Sequence, residues 1–255
     1  MARRRNSARH HRRGRFSFLY KVLSVLVICG AIIAAVTLFF RVEHIEPTGQ
    51  QRYTADQVRE SSGVALGDNL FLLNKYDVAG RITAQLPYVE NIRIHRTYPN
   101  TLNIEVTECA KPFAIEQEDG VWLVSTRGKI VEQVESAEGY ARISGCELLE
   151  PAVGTHIALA TEYGAQEESL LALLAALQEG GMLEKVDGIR LDDLATLYLD
   201  YDGRFTVKLP YGADYSFKMM ALRAYLAEDA IQDNMTGTFD MQTDEDETYF
   251  KPNVR

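Results

Sequence analysis

Residues 86–108 read LPYVENIRIHRTYPNTLNIEVTE, and this stretch decides the fold of the first half of the chain. Apolar and polar residues alternate on both sides of the Tyr-Pro-Asn triplet at 98–100. The alternating apolar positions are Ile92, Ile94, Leu102, Ile104 and Val106. Alternation with a period of two is typical of a strand with one buried face, and Pro-Asn favours a turn. The stretch therefore predicts a β-hairpin.

Two helices are predicted before this hairpin. The second should begin near Asn74 and bury one face, since apolar residues recur there every four positions. These residues are Val78, Ile82 and Leu86. Pro87 should end the helix, because proline lacks the N–H that the next helical hydrogen bond needs.

The first helix is predicted between Thr54 and Gly63. Thr54 and Gln57 have the spacing of a capping box, and a glycine such as Gly63 commonly ends a helix. Residues 42–45 alternate as a short strand does. The order strand, helix, helix, strand, strand over residues 42–111 predicts a small α+β domain with two helices on one face of a sheet.

Three segments carry a resemblance to a known family: VEHIEPTG at 42–49, GDNLFLLN at 67–74 and the stretch at 86–108. In this order and at this spacing they resemble the polypeptide-transport-associated (POTRA) domain of the bacterial cell-division family FtsQ/DivIB. The resemblance implies an α+β chain with one transmembrane helix, a POTRA domain at 42–111 and a β domain after it. These motifs specify a fold and not a reaction.

A second, β-rich domain is predicted over residues 112–242, with its boundary close to Pro112. Turn signals at Asp119-Gly120 and Arg127-Gly128 separate three short apolar runs. Around Asp202-Gly203 a further hairpin is predicted, because apolar residues alternate on both sides of that turn.

Two helices and a last strand complete this domain. Leucines recur at helical spacing between 170 and 177, and a second helix is predicted after Asp214. Residues 237–241 are predicted to form the last strand, and residues 243–255 an acidic tail. The arrangement is similar to the β domain of the FtsQ/DivIB family.

Residues 22–40, VLSVLVICGAIIAAVTLFF, are nineteen residues without a charge. A helix needs about 20 apolar residues to cross a bilayer, so this segment is predicted to be a transmembrane helix. Residues 1–21 hold eight Lys and Arg, whereas Arg41 alone follows directly, and this asymmetry places 1–21 in the cytoplasm. A cleaved signal peptide is the alternative, but its apolar region is usually about 7 to 15 residues long.

The charge of the chain is divided unevenly. Residues 1–41 hold nine of the 27 Lys and Arg and none of the 36 Asp and Glu, so the remainder has a net charge of −18. Such a field repels phosphates, which excludes nucleic acid as a partner of the folded part. The basic arm at 1–21 is predicted to contact anionic lipid headgroups.

No catalytic, cofactor or metal site is predicted. None of the five histidines has a cysteine or carboxylate at ligand spacing, and no phosphate loop, nucleophile elbow or HExxH motif is present. The acidic run at 244–247 lacks the alternation and the glycine of a calcium loop, so a solvated tail is predicted there and calcium is the alternative. Cys109 and Cys146 lie in the region predicted to be outside, where they could pair, but packing as small apolar residues is the preferred interpretation.

The resemblance implies a function: a membrane-anchored, extracytoplasmic scaffold at the division septum that recruits and regulates other septal proteins without catalysis. The implied partners are small coiled-coil division proteins related to FtsB/DivIC and FtsL. One alternative is a POTRA-containing transport component, which would need a β-barrel after the POTRA region. The other is a membrane-anchored extracytoplasmic enzyme, which would need a pocket with convergent titratable groups.

Partner binding is predicted at the C-terminal strand. If residues 237–241 form the last strand of the sheet, their outer edge is unpaired and favours strand addition by a partner. The residues assigned to this surface are Gly237, Phe239, Met241, Tyr249 and Phe250. The acidic run at 244–247 would keep the edge from self-pairing and steer a basic segment toward it. The alternative is that the two late aromatic residues cover their own domain.

The predicted topology can be tested by cysteine labelling of intact cells. Because the basic arm is cytoplasmic and the region after residue 41 is outside, an impermeant thiol reagent should label a Ser136→Cys variant and miss a Ser7→Cys variant. If the reagent labelled Ser7→Cys and missed Ser136→Cys, the orientation would be the opposite of the predicted one.

Overall fold

A computed structural model describes residues 14–160, 163–227, 231–232, 234–243 and 248–253. The first thirteen residues, which hold most of the predicted basic arm, and the acidic run at 244–247 lie outside the described residues. The elements described form an α+β fold with an N-terminal apolar helix, which confirms the predicted fold class.

Helix α1, Gly14–Phe39, contains the predicted span. Its segment Phe18–Phe39, 22 residues long, is long and apolar enough to cross a membrane, and its most apolar window has no buried residues. The helix begins eight residues before the predicted start at 22. Nothing helix-breaking separates the end of the basic arm from the apolar segment, so the helix extends into the arm.

The first module has the predicted element order. A three-stranded sheet of order β1-β3-β2 pairs β1 parallel to β3 and β2 antiparallel to it. The elements are β1 His44–Thr48, α2 Ala55–Ser62, α3 Lys75–Gln85, β2 Val89–Thr97 and β3 Thr101–Glu108.

The helix ends in this module are those that the sequence predicts. Thr54 caps α2, and the reciprocal bonds of a capping box with Gln57 are both present. Gly63 follows α2 in the left-handed conformation, and the Asn74 side chain accepts from the Tyr76 N–H at the start of α3. The helices and the sheet enclose a core in which Val58, Ile82 and Ile104 are fully buried.

The second module is built on a nine-stranded sheet of order β12-β11-β10-β9-β8-β7-β4-β5-β6. Its strands are β4 Phe113–Gln117, β5 Gly120–Val124, β6 Ile130–Val134, β7 Ala141–Ser144, β8 Val186–Arg190, β9 Thr196–Tyr201, β10 Phe205–Pro210, β11 Gly237–Asp240 and β12 Tyr249–Pro252. Its helices are α4 Gly164–Glu179 and α5 Tyr215–Leu226.

Helices α4 and α5 contribute to a single large core with the sheet. The four leucines at 170, 173, 174 and 177 are fully buried, as their helical spacing predicts. Met219 and Leu222 of α5 are also buried, and the Asp214 side chain caps this helix by accepting from the Phe217 N–H.

The two modules share a third, smaller apolar cluster. Tyr88 and Cys109 come from the first module, and the other buried members come from the second. Those members are Ala114, Val121, Leu123, Val131 and Ala137. The boundary predicted near Pro112 therefore lies at an interface where the modules are packed together.

A buried lysine crosses this interface. Lys129, only 5% exposed, donates from Nζ to the carbonyl oxygens of Thr83 at 3.0 Å and Val89 at 3.3 Å. The Thr83 carbonyl lies in the last turn of α3, and its helical partner would be residue 87, which is a proline without an N–H. The ammonium supplies the missing donor, and a cation is favoured at a helix C-terminus.

Burial shifts the pKa of this lysine. Desolvation lowers the pKa of Lys129, and the nearby Glu90 carboxylate opposes that shift. The Thr126 hydroxyl lies 3.3 Å from Glu90 Oε1 and 2.6 Å from Gln178 Oε1, so the same region links α4 to the first module.

The rim of the interface is more exposed. Tyr88 donates from its hydroxyl to Glu132 Oε2 at 2.5 Å, and Arg52 lies 3.8 Å above the Tyr88 ring. Arg52 and Glu132 form an ion pair at 3.2 Å, but both side chains are substantially exposed. Exposed pairs of this kind contribute about 0–1 kcal/mol, so the buried contacts carry the interface.

Cys109 and Cys146 are both free thiols. Cys109 belongs to the interface cluster, and Cys146 packs against the core of the second module. Burial raises the pKa of each thiol to about 12. Both therefore pack as small apolar residues, which was the preferred interpretation.

We expect Lys129→Met to lower the free energy of unfolding by about 1–3 kcal/mol, because the Thr83 carbonyl loses a donor that Pro87 cannot replace. The measurement is thermal and urea unfolding of the detergent-solubilised full chain. Lys185→Met is the matched control, since the Lys185 side chain is 58% exposed and its partner Asp202 keeps a second cation, Arg204. A Lys129→Met protein as stable as the control would mean that the ammonium adds nothing to the interface.

Candidate protein-interaction edge

The C-terminal end of the nine-stranded sheet differs from the sequence prediction in one respect. Strand β11 pairs in parallel with β10, but its outer side is occupied by β12, which runs antiparallel to it. The premise that residues 237–241 have an open edge is therefore wrong. The acidic run at 244–247 led to the prediction that residues 243–255 form a tail. The aromatic residues of Tyr-Phe-Lys at 249–251, however, have enough β propensity to form a short strand.

Three of the five residues predicted to bind a partner are buried. Phe239 and Met241 are fully buried in the core, and Gly237 is also buried. These three residues shape the sheet from inside and do not lie on its surface. Of the predicted set, Tyr249 and Phe250 remain accessible, and both belong to β12.

Phe250 attaches β12 to the core. Its ring lies 4.7 Å from the ring of Phe239 and 6.2 Å from that of Phe205 between centroids. Gly237 makes this contact possible, because a Cβ there would lie 2.6 Å from the Lys251 carbonyl oxygen and 2.7 Å from Phe250 Cε2. The alternative that the late aromatic residues cover their own domain is correct for Phe250.

Tyr249 points to the opposite face of the sheet, as alternation along a strand requires. It is 52% exposed, and its neighbour on that face, Lys251, contacts Asp240 Oδ2 at 3.3 Å. Strand β12 therefore has an exposed aromatic ring, that of Tyr249.

The backbone of β12 has hydrogen-bonding groups that face away from β11, and among the described residues no further strand pairs with them. The Asn253 N–H donates to the Thr236 carbonyl at 2.9 Å, so Asn253 and Thr236 form a hydrogen-bonded pair of the antiparallel ladder. Because hydrogen-bonded and non-hydrogen-bonded pairs alternate, the carbonyls of Phe250 and Pro252 and the N–H of Phe250 point away from β11. Pro252 has no N–H, so the outward row is short.

A groove of about 320 Å³ lies beside this edge. Its lining is mainly apolar and comes from the end of α5, from β11 and the segment before it, and from β12 and the residue before it. The lining residues are Tyr225, Ile231, Met235, Phe239, Thr248, Phe250 and Pro252. The groove is large enough for one or two apolar side chains of an added segment.

Elsewhere on the sheet, a charged pair joins β8 to β9. A cavity of about 530 Å³ on the polar face contains Arg190, which donates to Asp200 at 3.0 and 3.1 Å. Asp200 also accepts from the Thr206 hydroxyl at 2.9 Å. Within the described part of the chain, no group of three or more His, Cys, Asp or Glu could hold a metal ion.

Comparison with known proteins places this geometry in a family. The FtsQ-type POTRA domain model matches residues 40–108, which is the first module. The cell division protein FtsQ of Corynebacterium glutamicum is 30% identical over 175 residues, which cover 66% of this chain and 78% of that protein. The chain belongs to the FtsQ/DivIB family.

Two further relatives are less similar to this chain. The cell division protein DivIB of Clostridium botulinum strain Hall is 26% identical over 140 residues, and the chain spans about half of it, 54%. The FtsQ of Streptomyces venezuelae is 27% identical over 115 residues, or 42% of its length. These matches identify a cell-division protein with a POTRA domain, anchored by its N-terminal apolar helix.

Within this FtsQ/DivIB protein, the Gly237–Phe250 contact can be tested. We expect Gly237→Ala to loosen β12, because the new Cβ overlaps the Lys251 backbone, and overpacking of this kind costs about 1–3 kcal/mol. Hydrogen exchange of the backbone amides of Tyr249, Lys251 and Asn253, which face β11, should accelerate. Gly164→Ala is the control, since Gly164 begins α4 with open space around it. Equal exchange in both variants would contradict a role for Gly237 in seating β12.

Proposed function

We propose that this protein is a membrane-anchored scaffold of the division machinery. Its folded part lies outside the cytoplasm, binds other membrane-anchored septal proteins, and performs no catalysis. The proposal is supported most directly by the edge of β12, which has outward backbone groups, an apolar groove on one face of the sheet and the exposed Tyr249 on the other.

The edge favours a partner that adds as an extended strand. Main-chain groups at Phe250 and Pro252 give affinity that is independent of the partner's sequence, whereas the groove selects an apolar side chain. The missing N–H of Pro252 limits how far an added strand can pair. Because few backbone groups of β12 can pair and the groove must also be filled by an apolar side chain, two copies of this edge are not expected to pair with each other.

Membrane anchoring makes a short contact sufficient. Anchored partners share one surface with this chain, so their effective concentration is high and a modest intrinsic affinity gives substantial occupancy. The net charge of −18 outside residues 1–41 favours partners with a basic segment. Family membership makes FtsB/DivIC-like and FtsL-like coiled-coil proteins the partners to test first.

The location of the site can be tested by photo-crosslinking in living cells. A benzophenone amino acid at position 249 should crosslink to a membrane-anchored division protein, because Tyr249 stands beside the edge. The same probe in place of Tyr140, which is 36% exposed in the second module, is the matched control. Crosslinks from Tyr140 and none from Tyr249 would place the partner elsewhere.

Affinity and stability should separate at neighbouring residues. We expect Tyr249→Ala to lower partner affinity about thirtyfold, equivalent to about 2 kcal/mol, with a small change in melting temperature. Phe250→Ala should lower the melting temperature as well, because its ring covers Phe239. Tyr140→Ala should change neither quantity, and unchanged affinity in both β12 variants would exclude this edge as the binding site.

A further inference from the structure

Apolar side chains gather at the point where α1 meets the first module. The rings of Phe40, Phe71 and Tyr98 contact one another, with centroids 4.8, 5.7 and 5.2 Å apart. Despite this contact, Phe71 is 43% and Tyr98 is 52% exposed. Leu66 and Leu72, in the same loop as Phe71, are 69% and 81% exposed. We call these five residues the juxtamembrane collar.

The collar is attached to the end of the membrane helix by hydrogen bonds. Asn69 Nδ2 donates to the Val36 carbonyl at 3.2 Å, and the Leu70 N–H donates to the Phe40 carbonyl at 2.8 Å. The Gly67 N–H donates to the Val42 carbonyl at 2.8 Å. The loop that bears Leu66, Phe71 and Leu72 is therefore bonded to the last turn of α1 and to the residues directly after it.

These bonds fix the height of the collar relative to a bilayer. Val36 lies inside the apolar segment Phe18–Phe39, and a helix rises about 1.5 Å per residue, so Asn69 contacts the helix roughly one turn below its end. A loop attached at that level lies in the headgroup region when the helix spans the membrane. Arg41 follows the span directly, where its side chain can reach lipid phosphates.

Exposed leucines beside clustered aromatic rings are costly in water and favourable at a bilayer surface. Aromatic rings concentrate at membrane interfaces, where they have an apolar body among the acyl chains and a polar edge in water. The hydroxyl of Tyr98 provides such an edge. The same lipid surface that holds α1 is thus the occupant that the position and composition of the collar favour.

We propose that the juxtamembrane collar inserts into the headgroup region of the leaflet at the C-terminal end of α1. This contact docks the POTRA domain against the bilayer and fixes its tilt. The collar is a lipid-binding surface in addition to the helix, and it depends on apolar contact more than on charge.

Depth-dependent fluorescence quenching tests this proposal. The full chain is reconstituted in phosphatidylcholine and phosphatidylglycerol nanodiscs, with lipids brominated on acyl carbons near the headgroup. Leu72→Trp and Tyr98→Trp place a reporter in the collar, and Leu194→Trp is the control because Leu194 is 90% exposed in the second module. The single native tryptophan, Trp122, provides the same background signal in all three proteins.

Bromolipid should quench the reporters in Leu72→Trp and Tyr98→Trp several-fold more than the reporter in Leu194→Trp. Adding Leu66→Ser and Leu72→Ser to Tyr98→Trp should reduce the quenching, and because both leucines are exposed the melting temperature should stay unchanged. Quenching no stronger than in the control would overturn the proposal. Collar reporters that are unquenched in nanodiscs but shielded from aqueous quencher in native membranes would assign the surface to a protein partner and equally overturn it.

Discussion

The contact between Lys129 and the end of α3 is the constraint on which the arrangement of the two modules depends. Pro87 stops the helix and thereby leaves the Thr83 carbonyl without its usual donor. The second module supplies that donor as a buried ammonium. A buried cation is tolerated only where it is hydrogen-bonded. Lys129 must therefore stay within hydrogen-bonding distance of the end of α3, and this requirement restricts the orientation of the second module relative to the first.

The far end of the sheet is governed by a different constraint, the space left by a missing side chain. Gly237 allows the Phe250 ring and the Lys251 backbone to close over β11. The edge of the sheet is thereby β12, which has the exposed Tyr249, and not β11, whose side chains at 237 and 239 are buried. Core residues such as Phe239 therefore determine which strand forms the edge of the sheet.

The sequence predicted the elements well where a residue has a local role. The Thr54 cap, the helix stop at Pro87 and the hairpin at 98–100 follow from rules that act within a few residues. Alternation likewise predicted six of the nine strands of the second module, but not β7, β8 or β12, and helical spacing predicted the buried leucines of α4.

Long-range relationships were beyond those rules. The donation from Lys129 to Thr83 joins residues 46 positions apart, and no local sequence pattern near either residue predicts it. The pairing of β12 with β11 was missed because the acidic run between them suggested a solvated tail, and the strand is only four residues long. The exposed rings at 71 and 98 became a surface only when the fold placed them together.

The order of the nine strands also sets a distance. Strand β6, which carries Glu132 beside Tyr88 and Arg52, is at one end of the sheet, and β12 is at the other. Eight interstrand spacings of about 4.8 Å separate them, or roughly 38 Å along the sheet. A helix rising from the membrane beside the first module needs about 25 further residues to cover that length. On the proposed binding mode, a partner anchored beside the first module would therefore have to extend by at least that length to reach β12.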